Sequence, residues 1–274
     1  MKKIVLAVAV VAFIVLCIVF NSYDLNISIE LTKHYNPFFE FFDNYGEMPI
    51  YVGPVIFGAV GFYLCNKKYQ KLLFTGVTMG AYGVAIVKAI HNHDVSLDLL
   101  ILGISAVAAG LLGAVTLYLF SKMKRENVDK IKDLALLGFI VSIASLACTE
   151  ILKYTWGRVR FRDLSADYSE FTRLFHINGL TGNKSFPSGH TNAGTSILLI
   201  ALLVPRFTDK KWIKYAVTAF CFAYIATLAV SRVIVGAHYA SDVLCGFVVG
   251  FTTLCVTHMI LRKKGVINVA SDKC

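Results

Sequence analysis

Three short polar clusters interrupt a sequence that is otherwise apolar enough to cross a lipid bilayer. They are residues 153–160, residues 187–190 and residues 231–242. Each cluster contains cationic side chains, histidines or small hydroxyl residues. Ionisable groups in or beside membrane spans are costly to bury, and for that reason they mark a functional site.

The cations and hydroxyl residues of these clusters predict a phosphate-binding site. Lys153, Arg160 and Arg232 supply positive charge, and a guanidinium matches two phosphate oxygens at once. Ser188 and Gly189 precede an apolar stretch, so their backbone N–H groups lie at a predicted helix start, where an anion binds. Together these groups describe a cradle for a phosphoryl group.

The histidines supply the chemistry that such a cradle needs. His238 and Asp242 are four residues apart, which places both on one helical face if the helix covers them. A carboxylate there holds the imidazole in one tautomer and leaves its other nitrogen free to attack. His190 is the natural proton donor to the leaving oxygen. The sequence therefore predicts phosphoryl transfer through a phosphohistidine.

Composition indicates the environment of this chemistry. The chain has 274 residues, 57% of them hydrophobic, and a mean hydropathy of +0.65, above the range of soluble proteins. An integral membrane protein is therefore predicted. The formal net charge is +10, but the positive residues cluster in short connections between apolar stretches. That pattern is typical of membrane topology and not of a nucleic-acid-binding surface.

The apolar stretches predict an all-α membrane bundle that forms one domain over residues 1–274, with a catalytic core at 134–262. Each stretch is about as long as a hydrocarbon core requires, ~20 residues. Residues 21–48 are aromatic and moderately charged, so they form either an amphipathic segment in the headgroup layer or an ordered external loop. The eight predicted spans are 4–20, 49–65, 72–91, 98–120, 134–152, 188–205, 214–232 and 240–261.

Basic residues follow every second predicted span, a pattern that the positive-inside rule assigns to cytoplasmic connections. Both termini are then cytoplasmic, and all three polar clusters face the outside. The predicted extracytoplasmic connections are 21–48, 92–97, 153–187 and 233–239. The connection at 153–187 is basic against this rule, and cations retained there favour an anionic ligand.

The order and spacing of the clusters resemble the three-part signature of the type 2 phosphatidic acid phosphatase superfamily, which also includes vanadium haloperoxidases. The resemblance covers about residues 134–262 and departs from the family pattern at Phe161, where the first motif has proline. The matching residues are Lys153-x6-Arg160, Pro187-Ser188-Gly189-His190 and Ser231-Arg232-x5-His238-x3-Asp242.

The resemblance implies a helical membrane fold, a metal-independent reaction without a cofactor, and an active site near the outer leaflet. His238 would be the nucleophile, Asp242 its partner and His190 the acid. The family's usual core has six spans, so eight predicted spans imply either an extra helical pair before the core or an early span that lies on the membrane or within the fold. The implied phosphate-binding residues are Lys153, Arg160, Ser188, Gly189, Ser231 and Arg232.

These observations predict a phosphatase in a bacterial cytoplasmic membrane. Its substrate would be a lipid phosphate or diphosphate, such as undecaprenyl diphosphate, phosphatidylglycerol phosphate, lipid A phosphate or phosphatidate. One alternative is a phosphotransferase that passes the phosphoryl group from the same intermediate to another lipid. A second is a lipid-binding or transport protein that keeps the fold without catalysis, against which both histidines argue. The predicted partners are the lipid substrate and the bilayer, and the oligomeric state is left open.

Other polar residues have simpler interpretations. His91-Asn92-His93-Asp94 contains metal-ligand types, but a polar external turn explains it better, and no metal site is predicted. Lys88 fits a side chain that extends to the headgroups. Glu150 either pairs with the lysine of the first cluster or is exposed at the interface. Arg158 and Arg162 either contact a lipid headgroup or are solvated.

Overall fold

The computed structural model describes residues 2–91 and 98–267, and within that range it contains helices and no strand. The predicted all-α membrane bundle is confirmed. The ten α-helices of the described residues are α1 (Lys2–Leu31), α2 (Pro37–Tyr45), α3 (Pro49–Leu64), α4 (Lys68–His91), α5 (Leu99–Ser121), α6 (Arg125–Trp156), α7 (Gly189–Gly194), α8 (Leu198–Leu203), α9 (Lys211–Ile234) and α10 (Ala240–Lys263).

Seven stretches of the described residues are long and apolar enough to cross a membrane, one fewer than predicted. The difference lies at 188–205. There, residues 189–206 form a run of short segments in which α7 and α8 alternate with 3₁₀ turns. The second polar cluster supplies the start of this run, so it lacks the apolar length of a span. The seven stretches are Val10–His34, Pro37–Leu64, Lys68–His91, Leu99–Ser121, Arg125–Asp163, Lys211–Ile234 and Ala240–Lys263.

The run at 189–206 lies alongside α6 and returns from one end of that helix to the other. Gly189 lies beside Lys153 near the end of α6, where a Cβ on the glycine would be 2.9 Å from the lysine Nζ. Near the beginning of α6, Arg206 Nη2 donates to Asp133 Oδ2 at 2.8 Å. The end of α6 and the second polar cluster are thereby held at the same end of the bundle.

Helix α6 also packs against the helices that precede the predicted catalytic core. Its residue Leu137 is fully buried. A Cβ on Gly53 of α3 would lie 2.6 Å from the carbonyl carbon of Gly138, so the two helices approach closely only because these residues are glycines. Ser142 Oγ donates to the Ile50 carbonyl at 2.6 Å. The N-terminal helices are therefore packed on the core rather than attached loosely to it.

The segment 21–48 is helical over most of its length. Helix α1 continues to Leu31 instead of ending near residue 20. Helix α2 begins where the Asn36 side chain accepts a hydrogen bond from the backbone two residues later, a standard N-cap. Phe41 of α2 is exposed while Asp43 lines a cavity, so α2 is amphipathic. Both candidate spans that border this segment, Val10–His34 and Pro37–Leu64, extend into it, and a position in the headgroup layer stays a prediction.

Candidate active site

The structure brings the three polar clusters together at one end of the bundle. The Ser188 backbone N–H donates to the Asp242 carbonyl at 3.0 Å, which joins the second cluster to the third. The contact of Gly189 with Lys153 joins the second cluster to the first. A Cβ on Gly246 of α10 would overlap the Ser188 carbonyl, so this close approach requires glycine.

His238 is held in one orientation by a backbone group. The side chain is almost completely buried, with 2% of the residue exposed, and its Nδ1 is 2.6 Å from the Ser185 carbonyl oxygen. Because a carbonyl only accepts hydrogen bonds, Nδ1 carries the proton and Nε2 keeps a free lone pair. Asp242 Oδ2 is 3.8 Å from Nδ1, too far for a normal hydrogen bond. The prediction that Asp242 fixes the tautomer is corrected: the Ser185 carbonyl does.

The start of α10 explains this correction. The helix begins at Ala240, so His238 precedes it and the two residues do not share a helical face. The Asp242 carboxylate is turned back to the helix start, where it accepts the Tyr239 backbone N–H at 3.0 Å. It also accepts the Ser185 hydroxyl at 2.6 Å. The carboxylate therefore fixes the backbone around His238 and is not hydrogen-bonded to the imidazole ring.

Arg158 is the main counter-charge of this carboxylate. Its Nη1 lies 2.7 Å from Asp242 Oδ1 and its Nη2 lies 3.0 Å from Asp24 Oδ2, with all three side chains fully buried. The guanidinium also lies 4.0 Å from the centroid of the Tyr239 ring, a cation–π geometry. Both predicted interpretations of Arg158, a headgroup contact and a solvated side chain, are therefore wrong.

Asp24 shows that the first helix takes part in the site's framework. Its carboxylate accepts the Ser241 backbone N–H at 3.0 Å and also the Ser241 hydroxyl. Together with Arg158, these bonds tie α1 to the start of α10. The sequence analysis gave Asp24 no role, although a carboxylate next to a long apolar run is a signal of function in a membrane protein.

His190 lines a cavity of about 440 Å³ together with Arg160 and Arg232. His238 is buried and is not among the lining residues, but its backbone N–H donates to the carbonyl of Arg232, which lines the cavity, at 3.1 Å. Burial lowers the pKa of His190 to about 4 and that of His238 to about 3, because excluded water no longer stabilises the imidazolium form. Both rings are therefore neutral near pH 7.

Two of the three cations of the predicted cradle are paired with carboxylates. Lys153 Nζ donates to Glu150 Oε1 at 3.1 Å, and Glu150 is also exposed, so both alternatives predicted for Glu150 apply. Arg232 is 4% exposed and is paired with Asp43 of α2. Arg160 is partly buried at the cavity wall. An anionic ligand would take the place of these carboxylates.

Two predicted phosphate ligands have polar groups that are engaged elsewhere. The Ser188 hydroxyl caps α7 by accepting the Thr191 backbone N–H at 3.3 Å, and its own N–H is bound to the third cluster. The fully buried Ser231 hydroxyl donates to the Leu228 carbonyl at 2.7 Å. Ser231 therefore packs within α9 instead of facing a ligand. The predicted backbone donor that remains at the start of α7 is Gly189.

The segment that carries all three clusters matches a known protein family. Residues 134–265 match the model described as the PAP2 superfamily. This segment, here called the PAP2 domain, is similar to that family. The match covers just under half of the chain, and it confirms the family resemblance drawn from the three motifs.

Two curated relatives match over 133 residues. The lipid A 1-phosphatase of Rhizobium johnstonii is 34% identical and that of Rhizobium etli is 33% identical. The alignments cover 47% of this chain and 48% and 51% of the two relatives. The chain thus spans about half the length of the curated relatives it matches. No solved structure gives a significant match.

Residues outside the PAP2 domain also reach the site. Glu47 Oε2 lies 3.7 Å from His190 Nε2, and Lys88 Nζ lies 3.8 Å from Glu47 Oε1. Lys88 therefore faces the cavity. The sequence predicted instead that its side chain extends to the headgroups. With Asp24 and Asp43, these residues show that the N-terminal helices complete the surroundings of the PAP2 motifs.

Grouped metal ligands are absent from the part of the chain that the structure describes. No three His, Cys, Asp or Glu side chains there are placed to hold one ion. Most of the candidate sequence His91-Asn92-His93-Asp94 lies outside the described residues, as does the predicted external connection at 92–97. In the PAP2 domain, the cations that would neutralise a bound phosphate are Lys153, Arg160 and Arg232.

Proposed function

We propose that this protein is a membrane phosphatase that hydrolyses a lipid phosphate or diphosphate through a phosphohistidine on His238. The observation that carries the proposal is the orientation of His238. Its Nδ1 is bound to the Ser185 carbonyl at 2.6 Å, so Nε2 is left as a nucleophile, and Arg160, Arg232 and His190 stand at the adjoining cavity. A nucleophile, fixed cations and an acid are the parts that phosphoryl transfer requires.

In the proposed first step, His238 Nε2 attacks phosphorus and the bond from phosphorus to the lipid oxygen breaks. His190 donates its proton to that oxygen, and the dephosphorylated lipid leaves. In the second step, water attacks the phosphohistidine while His190 accepts a proton from the water. The P–N bond breaks, inorganic phosphate is released and His190 is again protonated. Lys153, Arg160 and Arg232 neutralise the phosphoryl oxygens in both steps, so the reaction proceeds without a metal ion.

The substrate class is supported by the surroundings of the site and by the relatives. The cavity is lined by residues of helices that are long and apolar enough to cross a membrane, so a phosphate headgroup attached to lipid chains fits this position. The two relatives are named for action on lipid A. Within the predicted substrates, a lipid A-type phosphate is therefore the first to test. The charge pattern of the connections supports an active site on the extracytoplasmic face with both termini inside. The seven spans agree with this topology because the run at 189–206 also returns the chain along α6.

Phosphate release by the detergent-purified protein in EDTA tests the proposal. The substrates are a lipid A phosphate, undecaprenyl diphosphate, phosphatidylglycerol phosphate and phosphatidate, each with the wild type and His238→Ala. A matched control is His258→Ala, which removes another histidine of the same C-terminal region, on α10. The proposal expects release in EDTA that only His238→Ala abolishes. Release that requires magnesium contradicts the metal-free reaction, and transfer to an added lipid in place of release identifies a phosphotransferase.

A further inference from the structure

Glu47 is a carboxylate that faces the predicted acid from outside the PAP2 domain. It lies in the turn between α2 and α3, and its Oε2 is 3.7 Å from His190 Nε2. The side chains are only 10% and 13% exposed. Charged side chains are rarely buried without a partner, so this placement requires an explanation.

The position of Glu47 is fixed by its neighbours. The preceding Gly46 donates its N–H to the Phe42 carbonyl at 2.9 Å, and Tyr224 of α9 donates its hydroxyl to the Gly46 carbonyl at 2.9 Å. A Cβ on Gly46 would overlap Leu228 of α9. The turn is therefore packed against the helix that carries Arg232, and the Glu47 carboxylate is held toward the site.

One buried side-chain atom of each of these two residues has no hydrogen-bond partner. Of the described residues, the buried atoms without a hydrogen-bond partner include His190 Nε2 and Glu47 Oε1. Lys88 Nζ is 3.8 Å from Glu47 Oε1. A small approach of Glu47 to His190 would form a hydrogen bond as soon as Nε2 carries a proton.

The other charges that face His190 oppose its protonated form. Burial has the largest effect on the pKa of His190 and lowers it, and the cations Lys88, Lys153 and Arg160 lower it further. Glu47 acts in the opposite direction and raises this pKa. The cations come from α4, α6 and the loop after α6, whereas Glu47, in the turn between α2 and α3, supplies the negative charge that favours the imidazolium.

We propose that Glu47 is a positioning residue for proton transfer, which holds His190 as the imidazolium that donates to the leaving oxygen. This inference rests on the proposed function of His190 as the acid. It assigns to the N-terminal half of the chain a direct part in the reaction, through a residue that lies outside the three motifs.

The leaving group of the substrate distinguishes this role from a structural one. An alkyl phosphate such as phosphatidate, the lipid used in this test, needs a proton on its leaving oxygen, whereas the anion of a nitrophenyl phosphate leaves without one. Since positioned proton transfer contributes about 10²- to 10⁴-fold, we expect Glu47→Gln to lower the rate on the lipid at least about tenfold and to change the rate on the nitrophenyl ester less than about threefold. His190→Ala should show the same contrast, and Glu47→Asp should restore part of the lipid rate.

A titration makes the test independent of turnover. Histidine ring ¹⁵N NMR of the purified protein should give a lower pKa for His190 in Glu47→Gln than in the wild type. Glu30→Gln, an exposed carboxylate at the end of α1, should leave that pKa unchanged. Equal loss of rate on both esters, or an unchanged His190 titration, overturns the role of Glu47. A wild type that hydrolyses neither ester overturns the proposed function, while the titration still decides whether Glu47 controls His190.

Discussion

Arg158 Nη1 lies 2.7 Å from Asp242 Oδ1, and neither side chain is exposed to solvent. The same guanidinium is bound to Asp24 of α1. Two buried carboxylates therefore share one buried cation, and the loop after α6, the first helix and the start of α10 meet at this point. The position of the backbone around His238 depends on that junction, because Asp242 and Ser185 are bound to each other within it.

Replacing Arg158 by methionine should destabilise the fold and abolish activity. The substitution leaves two buried carboxylates without their cation, and removing one partner of a buried pair costs about 3–5 kcal/mol. Thermal unfolding in detergent measures the loss. Arg162→Met is the matched control. This arginine is exposed, so the free energy of unfolding of the variant should differ from that of the wild type by less than about 0.5 kcal/mol. Equal stability of both variants would contradict the assigned network.

Asp242→Asn should be less damaging to the reaction than His238→Ala. The Ser185 carbonyl still holds Nδ1 in the asparagine variant, so the nucleophile keeps its tautomer. The loss of charged hydrogen bonds then predicts a rate lower by about 10- to 100-fold, whereas the alanine variant has no nucleophile. Rates of phosphate release from the same lipid compare the two variants. If Asp242→Asn is as inactive as His238→Ala while remaining folded, the orienting role given to the Ser185 carbonyl is wrong.

The rate should depend on pH through both histidines. His238 must be neutral to attack, so activity rises as pH passes its pKa, which burial lowers to about 3. His190 must be protonated to donate, so activity falls as pH passes its pKa. Burial lowers that pKa to about 4, and a bound phosphate raises it because negative charge favours the imidazolium. We expect a bell-shaped kcat profile whose alkaline limb disappears in His190→Ala. A profile that is flat in the wild type would contradict these roles.

Asp43→Asn should tighten the binding of phosphate mimics. The Asp43 carboxylate is paired with Arg232, and a phosphate must replace it to reach the guanidinium. Removing an ion pair of about 1 kcal/mol predicts about fivefold stronger inhibition by vanadate. Glu126→Gln is the control, because that exposed carboxylate is paired with Lys130 at 2.6 Å and does not line the cavity. Unchanged or weaker inhibition in Asp43→Asn would show that Asp43 does not compete with the ligand.

The sequence predicted the residues of the site better than their contacts. Lys153, Arg160, His190 and His238 stand out because charges and histidines are rare in apolar sequence, and the structure gathers them at one end of the bundle. The partner of His238 was predicted from a spacing of four residues, which applies only inside a helix. The cap at Tyr239 starts α10 after the histidine, and a backbone carbonyl takes the place of the predicted carboxylate.

Other features depend on contacts between distant parts of the chain. Asp24 and Glu47 reach the site only after α1 and the turn before α3 pack against α9 and α10, and no local pattern carries that information. Burial of Arg158 is set in the same way, by two carboxylates far away in sequence. A span is predicted where the structure has the interrupted run at 189–206, because the second half of that run is apolar. Its first half contains polar residues of the second cluster and forms only short helical segments.

Trapping the covalent intermediate tests the central claim most directly. The protein is mixed briefly with a ³²P-labelled lipid phosphate in EDTA, quenched in alkali and digested, and the labelled peptide is identified by mass spectrometry. The account predicts an acid-labile, alkali-stable phosphoryl group on His238, which appears before free phosphate and is absent from His238→Ala. Release of labelled phosphate with no labelled protein at any quench time, or a label on another residue, would contradict it.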